Sequence, residues 1–297
     1  GAVAASAEAG GKRWQNDGWR ERGGIVSDRV DLLMITYNRP HYVRLSLPRL
    51  LETCREHDRV WVWHNGTDEQ TLEAVRACEN HPNFKTLHHS EENRKLRDPT
   101  NWFWSQADAP FLGKVDDDCL MSDGWIERIM KILHASDKAG MLSCWPFLAS
   151  DIDEKLVAKK TVMLGGEPVL KNPWVGGAGY IMKRACQEGN GMLGPDEGFT
   201  SYCMRLARAG WTIGWPLPVI EMDHMDDPRS PNTVFKTDAD VLAHRGLTAQ
   251  WRGIETVAQM TERVKVAALE LQTCSANWRS HTGVRAKVRR AVRRLVP

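Results

Sequence analysis

From Asp31 onward, short apolar runs alternate with amphipathic stretches along the chain. This is the pattern of strands and helices taking turns in an α/β sheet. The run Val30 to Thr36 reads as a first buried strand, and a helix from about Arg39 to Arg55 follows, opened by a proline near its first turn. A second strand, Arg59 to His64, stops at Asn65-Gly66. Asp68 then caps a helix through about Asn80, and a third strand covers Phe84 to His88. Such a β-α-β-α-β half predicts parallel strands. Ligands of such sheets bind at the carboxyl ends of the strands, where the polar clusters of this chain fall. A fourth strand, Pro110 to Val115, runs straight into Asp116-Asp117-Asp118. Further on, a glycine-dense turn, Asn172 to Gly179, leads to the strand Tyr180 to Met182. A helix over Thr200 to Ala209 and a strand over Thr212 to Ile220 come next. Beyond Asp238 the spacing of Ile254, Val257, Ala258, Thr261, Val264, Ala268 and Leu271 predicts a long helix packed on the core.

Three segments follow from the pattern. Residues 1–28, rich in Gly, Ala and charge without periodicity, read as a flexible leader; residues 29–237 as the catalytic domain; and residues 238–297 as a helical extension with a basic amphipathic end. In that end, Val284, Val288, Val292 and Leu295 share one face and arginines surround them, a form that lies on anionic membrane surface (residues 283–295). No stacking aromatic motif accompanies the arginines, so no nucleic-acid partner is expected. No apolar run approaches the ~20 residues of a transmembrane helix, and the first residues lack the layout of a secretory signal. The expectation is a cytoplasmic protein, able to sit peripherally on the inner face of the membrane.

Composition adds little. The 40 Lys and Arg residues nearly balance the 38 Asp and Glu residues, so bulk charge names no partner. Seven cysteines lie singly along the chain without a CxxC pair, against a zinc ribbon or disulfide framework and in favour of reduced thiols. Thirteen tryptophans offer flat faces for sugar rings, though large aromatics mostly fill cores.

The chemistry concentrates at the fourth strand. Adjacent carboxylates leaving a buried strand repel one another strongly, and a divalent cation is the simplest remedy. Asp116 and Asp118 have the DxD spacing that holds such an ion against a nucleoside diphosphate. The plain structural alternative is an acid cluster complementing the dipole of a following helix. Taken in order, MITYNRP, HNGTD, ENRKLRDPTN and KVDDDC resemble glycosyltransferase family 2, over roughly residues 30 to 226.

That resemblance implies a GT-A type, Rossmann-like mixed and mainly parallel sheet flanked by helices. It also implies a metal-dependent, inverting transfer of sugar from a nucleoside-diphosphate sugar to a hydroxyl of a glycan, lipid-linked or small-molecule acceptor, in the setting of polysaccharide biosynthesis. By the same resemblance Thr36, Tyr37, Asn38 and Arg39 line the nucleobase pocket. Asn65 reads the base edge, for which its amide offers both a donor and an acceptor. Asn93, Lys95 and Arg97 stand beside the donor, and Lys114, Asp116, Asp117, Trp174 and Gly177 complete its surroundings. Mn²⁺ or Mg²⁺ is expected on Asp118 as principal ligand, with Asp116 and with His224 as a late ligand. Asp196 or Glu197, before the Arg205 to Gly210 helix end, is expected to take the acceptor proton. The acids stand a couple of residues further from Arg205 than the family pattern has them, which leaves the choice open, with Asp196 preferred. Two other readings compete. A nucleotidyltransferase lacks support because MITYNRP is not a Gly-rich basic loop. A non-catalytic membrane or nucleic-acid adaptor would act through the basic tail alone.

Overall fold

The computed structural model describes residues 28–246, 249–250 and 252–282. The expected leader, apart from Asp28, and the basic stretch 283–295 lie outside the described residues. The first half follows the apolar pattern closely. Strand β1 (Val30–Thr36) pairs in parallel with β2 (Arg59–Asn65) and with β4 (Phe111–Asp116), and β2 pairs in parallel with β3 (Phe84–Ser90). The crossovers are α1 (Pro40–Glu52), α2 (Glu69–Arg76) and α3 (Arg97–Gln106). Pro40 opens α1, where its missing N–H is not needed. Asp68 caps α2 by accepting from the Thr71 N–H at 2.9 Å. This helix ends at Arg76, short of Asn80, and the polar stretch after it winds through turns instead.

The second half departs from simple alternation. After the acids come a three-residue strand β5 (Cys119–Met121), α4 (Trp125–Ala135), β6 (Ala139–Ser143) and a short α5 (Glu154–Ala158). A hairpin then joins β7 (Thr161–Leu164) to β8 (Glu167–Asn172) through Gly165 and Gly166, both at positive φ as a tight hairpin turn demands. Next are β9 (Gly179–Lys183), α6 (Arg184–Asn190), α7 (Phe199–Arg208), β10 (Thr212–Pro216) and β11 (Met222–His224). The nine-stranded sheet runs β3-β2-β1-β4-β9-β6-β10-β8-β7, with β9 antiparallel to both β4 and β6. This is the mixed, mainly parallel sheet expected, with its parallel half as read. Strand β10 stops at Pro216, short of Ile220, because Pro216 and Pro218 have no N–H for the ladder.

Two large apolar clusters cover the faces of the sheet. Leu32, Met34, Val62, Val115, Trp125 and Ile129 lie in one, and Leu33, Trp104, Tyr180, Tyr202, Trp145 and Trp215 in the other. Most tryptophans are thus spent on packing, Trp145 and Trp215 meeting edge to face at 5.3 Å. The carboxy-terminal helices are α8 (Asp238–His244) and α9 (Val257–Thr273). Ile254 falls before α9 rather than in it, since Thr256 and Gln259 form a capping box that starts the helix there. The last turns of α9 dock on the core. Ala268 is buried, Gln272 accepts from the Asp153 N–H at 2.7 Å, and Lys160 donates to the Leu271 carbonyl at 2.6 Å. No helix among the described residues is long and apolar enough to cross a membrane.

Strand β4, which delivers the three acids, sits between β1 and β9 at close quarters. A Cβ on Gly113 would lie 2.5 Å from Leu32 Cδ2 and 2.6 Å from the Tyr180 carbonyl oxygen. Gly113→Ala is expected to destabilise the fold by about 1–3 kcal/mol through overpacking. Urea denaturation followed by circular dichroism checks this as a lowered midpoint.

Candidate active site

The site assembles where the parallel strands end. At the end of β1 the Thr36 hydroxyl meets His64 Nδ1 at 2.9 Å, joining the ends of β1 and β2 in a buried polar pair. The chain then turns through Asn38 at φ 49, a left-handed conformation that Asn tolerates better than most residues. This turn leaves Tyr37 exposed and brings its N–H to within 3.2 Å of an Asp117 carboxylate oxygen. Arg39, the residue before α1, points its guanidinium at the acids after β4.

Beyond β4 the chain does not enter a helix directly. Strand β5 pairs antiparallel with β11, setting His224 opposite Cys119, and the Met225 N–H donates to the Asp118 carbonyl at 2.8 Å. This small ribbon brings His224 Nε2 to 3.7 Å from Asp118 Oδ1. Arg39 bridges two acids, donating to Asp118 Oδ2 at 2.7 Å and to Asp226 Oδ2 at 2.9 Å. The other Asp226 oxygen is buried and has no partner among the described residues. Arg229 holds the following turn in place by clamping Asp227 and Asp151, each at 2.7 Å.

Burial and mutual charge set the protonation of this cluster. Burial, then the charge of Asp118, pushes the Asp117 carboxyl well above the usual carboxylate range. Burial alone would also raise Asp118, but His224 and Arg39 outweigh it and hold that carboxyl below its ordinary value. Burial works against a charged His224, yet Asp118 and Asp226 outweigh burial and raise it. Burial, reinforced by Asp118, raises Asp226. The result is one firmly ionised carboxylate, Asp118, at the centre.

The donor atoms of Asp118, Cys119 and His224 all lie within 4.8 Å of one another. Burial, and then Asp118, pushes the Cys119 thiol far above its ordinary range, so it stays protonated and donates to Asp118 Oδ1 at 3.3 Å. The carboxylate oxygens of Asp118 and the His224 imidazole that remain suit a hard or borderline divalent ion such as Mg²⁺ or Mn²⁺, and Arg39 joins Asp226 to the same cluster. Asp116 stands slightly apart: it accepts from the buried Lys114 ammonium, which also donates to the Gly177 carbonyl at 3.1 Å. Sequence reasoning named Asp116, Asp118 and His224 but passed over Asp226. The signal was present, since Asp226 lies two residues beyond His224 in the same polar run.

On the opposite side of β1, Asn65 is buried rather than open to a ligand. Its carboxamide oxygen accepts from Trp63 Nε1 at 3.0 Å and from the Arg94 N–H at 2.9 Å, and its nitrogen donates to the Lys95 carbonyl at 3.4 Å. Asn65, expected to read the base edge, here ties the end of β2 to the loop 93–95 through its amide. In that loop the Asn93 side chain accepts from the Lys95 N–H at 2.9 Å, and Lys95 takes φ 57. Arg97 reaches the other way, donating to the Pro195 carbonyl at 2.8 Å.

That contact braces the acid loop before α7, which Asn101 also grips by exchanging hydrogen bonds with the Leu193 N–H and carbonyl at 2.9 and 3.0 Å. The two acids differ. Glu197 accepts from the Gly194 N–H at 3.0 Å and from Arg205 at 2.7 Å. Asp196 is exposed and makes no hydrogen bond or ion pair among the described residues. Behind it, Phe199 stacks on Tyr180 at 4.8 Å, and a Cβ on Gly177 would lie 3.8 Å from both Phe199 and Lys114 Nζ. The acid loop and the end of β4 are thus neighbours. Trp174 is half-buried and meets the His281 ring edge on at 4.7 Å, so one side of it is covered.

The sequence profile described as Glycosyl transferase family 2 matches residues 31–212. The fold is similar to that of the mannosyltransferase PcManGT from Pyrobaculum calidifontis, solved with GDP-Man and Mn²⁺: 18% identity, 90% of this chain and 80% of that one covered, TM-score 0.54. It is also similar to residues 1–349 of TarS from S. aureus, solved with UDP-GlcNAc, at 17% identity and TM-score 0.50 over 63% of this chain and 55% of that one. No curated protein sequence matches the chain. The structural likenesses at these identities establish the fold, GT-A, while the profile spans more than half of the 297 residues. The chain belongs to glycosyltransferase family 2 and is a glycosyltransferase.

Proposed function

We propose that the chain transfers a sugar from a nucleoside-diphosphate sugar to an acceptor hydroxyl in a single inverting displacement that depends on a divalent cation. The observation that carries this reading is the meeting of Asp118 and His224 donor atoms at the end of the sheet, with Asp226 joined to Asp118 through Arg39 and one Asp226 oxygen unpartnered among the described residues. The ligands with which similar folds were solved, GDP-Man with Mn²⁺ and UDP-GlcNAc, support it. Asp118, His224 and Asp226 would hold the ion, with Asp116 beside them. When bound, the ion supplies charge stabilisation to the departing diphosphate.

The remaining residues do the positioning. Thr36 and His64 fix the ends of β1 and β2. Tyr37, Asn38 and the loop 93–95, shaped from beneath by Asn65, frame the nucleoside. Lys95 adds positive charge on that side, while Arg97, paired with Asp98 and the Pro195 carbonyl, braces the donor side against the acid loop. Lys114 holds Asp116 and the Gly177 carbonyl together, so that the floor of the donor pocket is fixed before a substrate arrives. Asp196 serves as the general base that removes the acceptor proton, since its carboxylate is uncommitted, while Glu197 locks the loop through Arg205. Trp174 flanks the acceptor side. The acceptor is a glycan or lipid-linked hydroxyl, and residues 283–295 would hold the enzyme near an anionic membrane carrying it.

Three outcomes are expected. With Mn²⁺ and a panel of UDP and GDP sugars, one donor should raise the melting temperature of the wild type; Asp118→Asn should fold and show no metal-dependent shift. Asp196→Asn should lower turnover by about 10²–10⁴-fold while keeping donor affinity, measured by release of nucleoside diphosphate. Glu197→Gln should keep most of the activity, because its amide oxygen still accepts from Gly194 and Arg205. The opposite ranking of these two variants would move the base to Glu197.

A further inference from the structure

A cavity of about 760 Å³ adjoins the carboxylate cluster, and its far wall comes from the carboxy-terminal helical segment. Asp117, His224 and Asp226 line it together with Tyr37, Asn38 and Asn93 of the proposed donor site, so the two are continuous; His41 from α1 and His244, Arg245, Arg252 and Arg263 from the carboxy-terminal segment complete the lining. The acidic side carries its own counter-charges. Arg39 neutralises Asp118 and Asp226, and Lys114 neutralises Asp116. In the proposed reaction a divalent ion and the donor diphosphate bring opposite charges to that same side, so they too largely cancel.

The basic wall is only partly balanced, since Glu270 is shared between Arg252 and Arg263. Arg245 is held by the Ile254 carbonyl, a neutral acceptor, and Arg263 reaches Glu270 at 3.6 Å. Arg252 is exposed and makes no side-chain hydrogen bond or close ion pair among the described residues, although the charge of the same Glu270 acts on it. The rings of His41 and His244 lie 6.2 Å apart, and His41 Nε2 is buried without a hydrogen-bond partner among the described residues. Burial, then Arg263, lowers Arg252; burial, then His244 and Arg39, lowers His41. Like charges gathered around a cavity favour an anion inside it.

We propose that Arg252 and Arg263, with His41 and His244, form a second anion site that receives a phosphate group carried by the acceptor. This rests on the donor reading above, and it narrows the acceptor to a phosphorylated class. Planar guanidinium groups suit phosphate oxygens, which accept charge-assisted hydrogen bonds from them. The alternative source of the same chemistry is the donor's own diphosphate.

The test is calorimetric titration of inorganic phosphate into the full chain saturated with Mg²⁺ and with UDP or GDP, whichever binds. The wild type is compared with Arg252→Gln/Arg263→Gln, its folding verified by its melting profile. Phosphate should bind the saturated wild type and bind the double variant roughly tenfold or more weakly, about 1.4 kcal/mol, with nucleoside diphosphate affinity unchanged. Equal phosphate affinity in both proteins, or none in the wild type, overturns the site. A fall in nucleoside diphosphate affinity, with phosphate competing for it, assigns the wall to the donor and overturns the acceptor assignment. If neither nucleotide binds the wild type, the donor reading fails instead, and phosphate titration of the Mg²⁺-only proteins decides the anion site by the same comparison.

Discussion

Three consecutive acids at the end of a buried strand are the constraint around which this molecule is arranged. Asp117 and Asp118 are both nearly inaccessible, and adjacent ionised carboxylates in such surroundings are costly. The chain answers in several ways at once. It keeps Asp117 prone to protonation, places Arg39 across Asp118 and Asp226, raises His224 toward its charged form, and lets Cys119 donate to Asp118. Each response comes from a different segment, so the acids tie β1, β4, β5 and β11 into one electrostatic unit.

That unit explains the unusual pieces of the fold. A parallel strand normally leads to a helix, yet here β4 leads to β5, whose only strand partner among the described residues is β11. The ribbon is too short to be stable alone. Its apolar residues Met121 and Met222 join the large cluster beneath the sheet, while its polar ends carry Asp118 and His224 upward. Packing on one side thereby fixes chemistry on the other. Arg229, clamped between Asp151 and Asp227, extends the same rigidity to Asp226.

The acid loop before α7 shows a second division of labour. One carboxylate, Glu197, is consumed in holding the loop, and its neighbour Asp196 is left for solvent and substrate. Arg97 and Asn101 on α3 grip the loop from the donor side, linking the expected nucleoside pocket to the expected base. A general base positioned by a braced loop loses less freedom on reaction than one on a mobile loop.

Much of this was legible in the chain itself. The parallel half, the Asp68 cap, the Pro40 start and the terminal acids of β4 follow from local apolar spacing and turn chemistry, which depend on near neighbours in sequence. Asp118 and His224 were nameable through the resemblance to the family, each lying shortly after a recognisable apolar run. What local pattern does not contain is long-range pairing. The β5–β11 ribbon, the antiparallel insertion of β9 between β4 and β6, the use of Asn65 to hold loop 93–95, and the role of Asp226 each join segments distant in the chain. The contrast between Asp196 and Glu197 is of the same kind. The two acids are adjacent and alike in sequence, and only the arrival of Arg205 and the Gly194 N–H on one of them, which folding decides, makes them different.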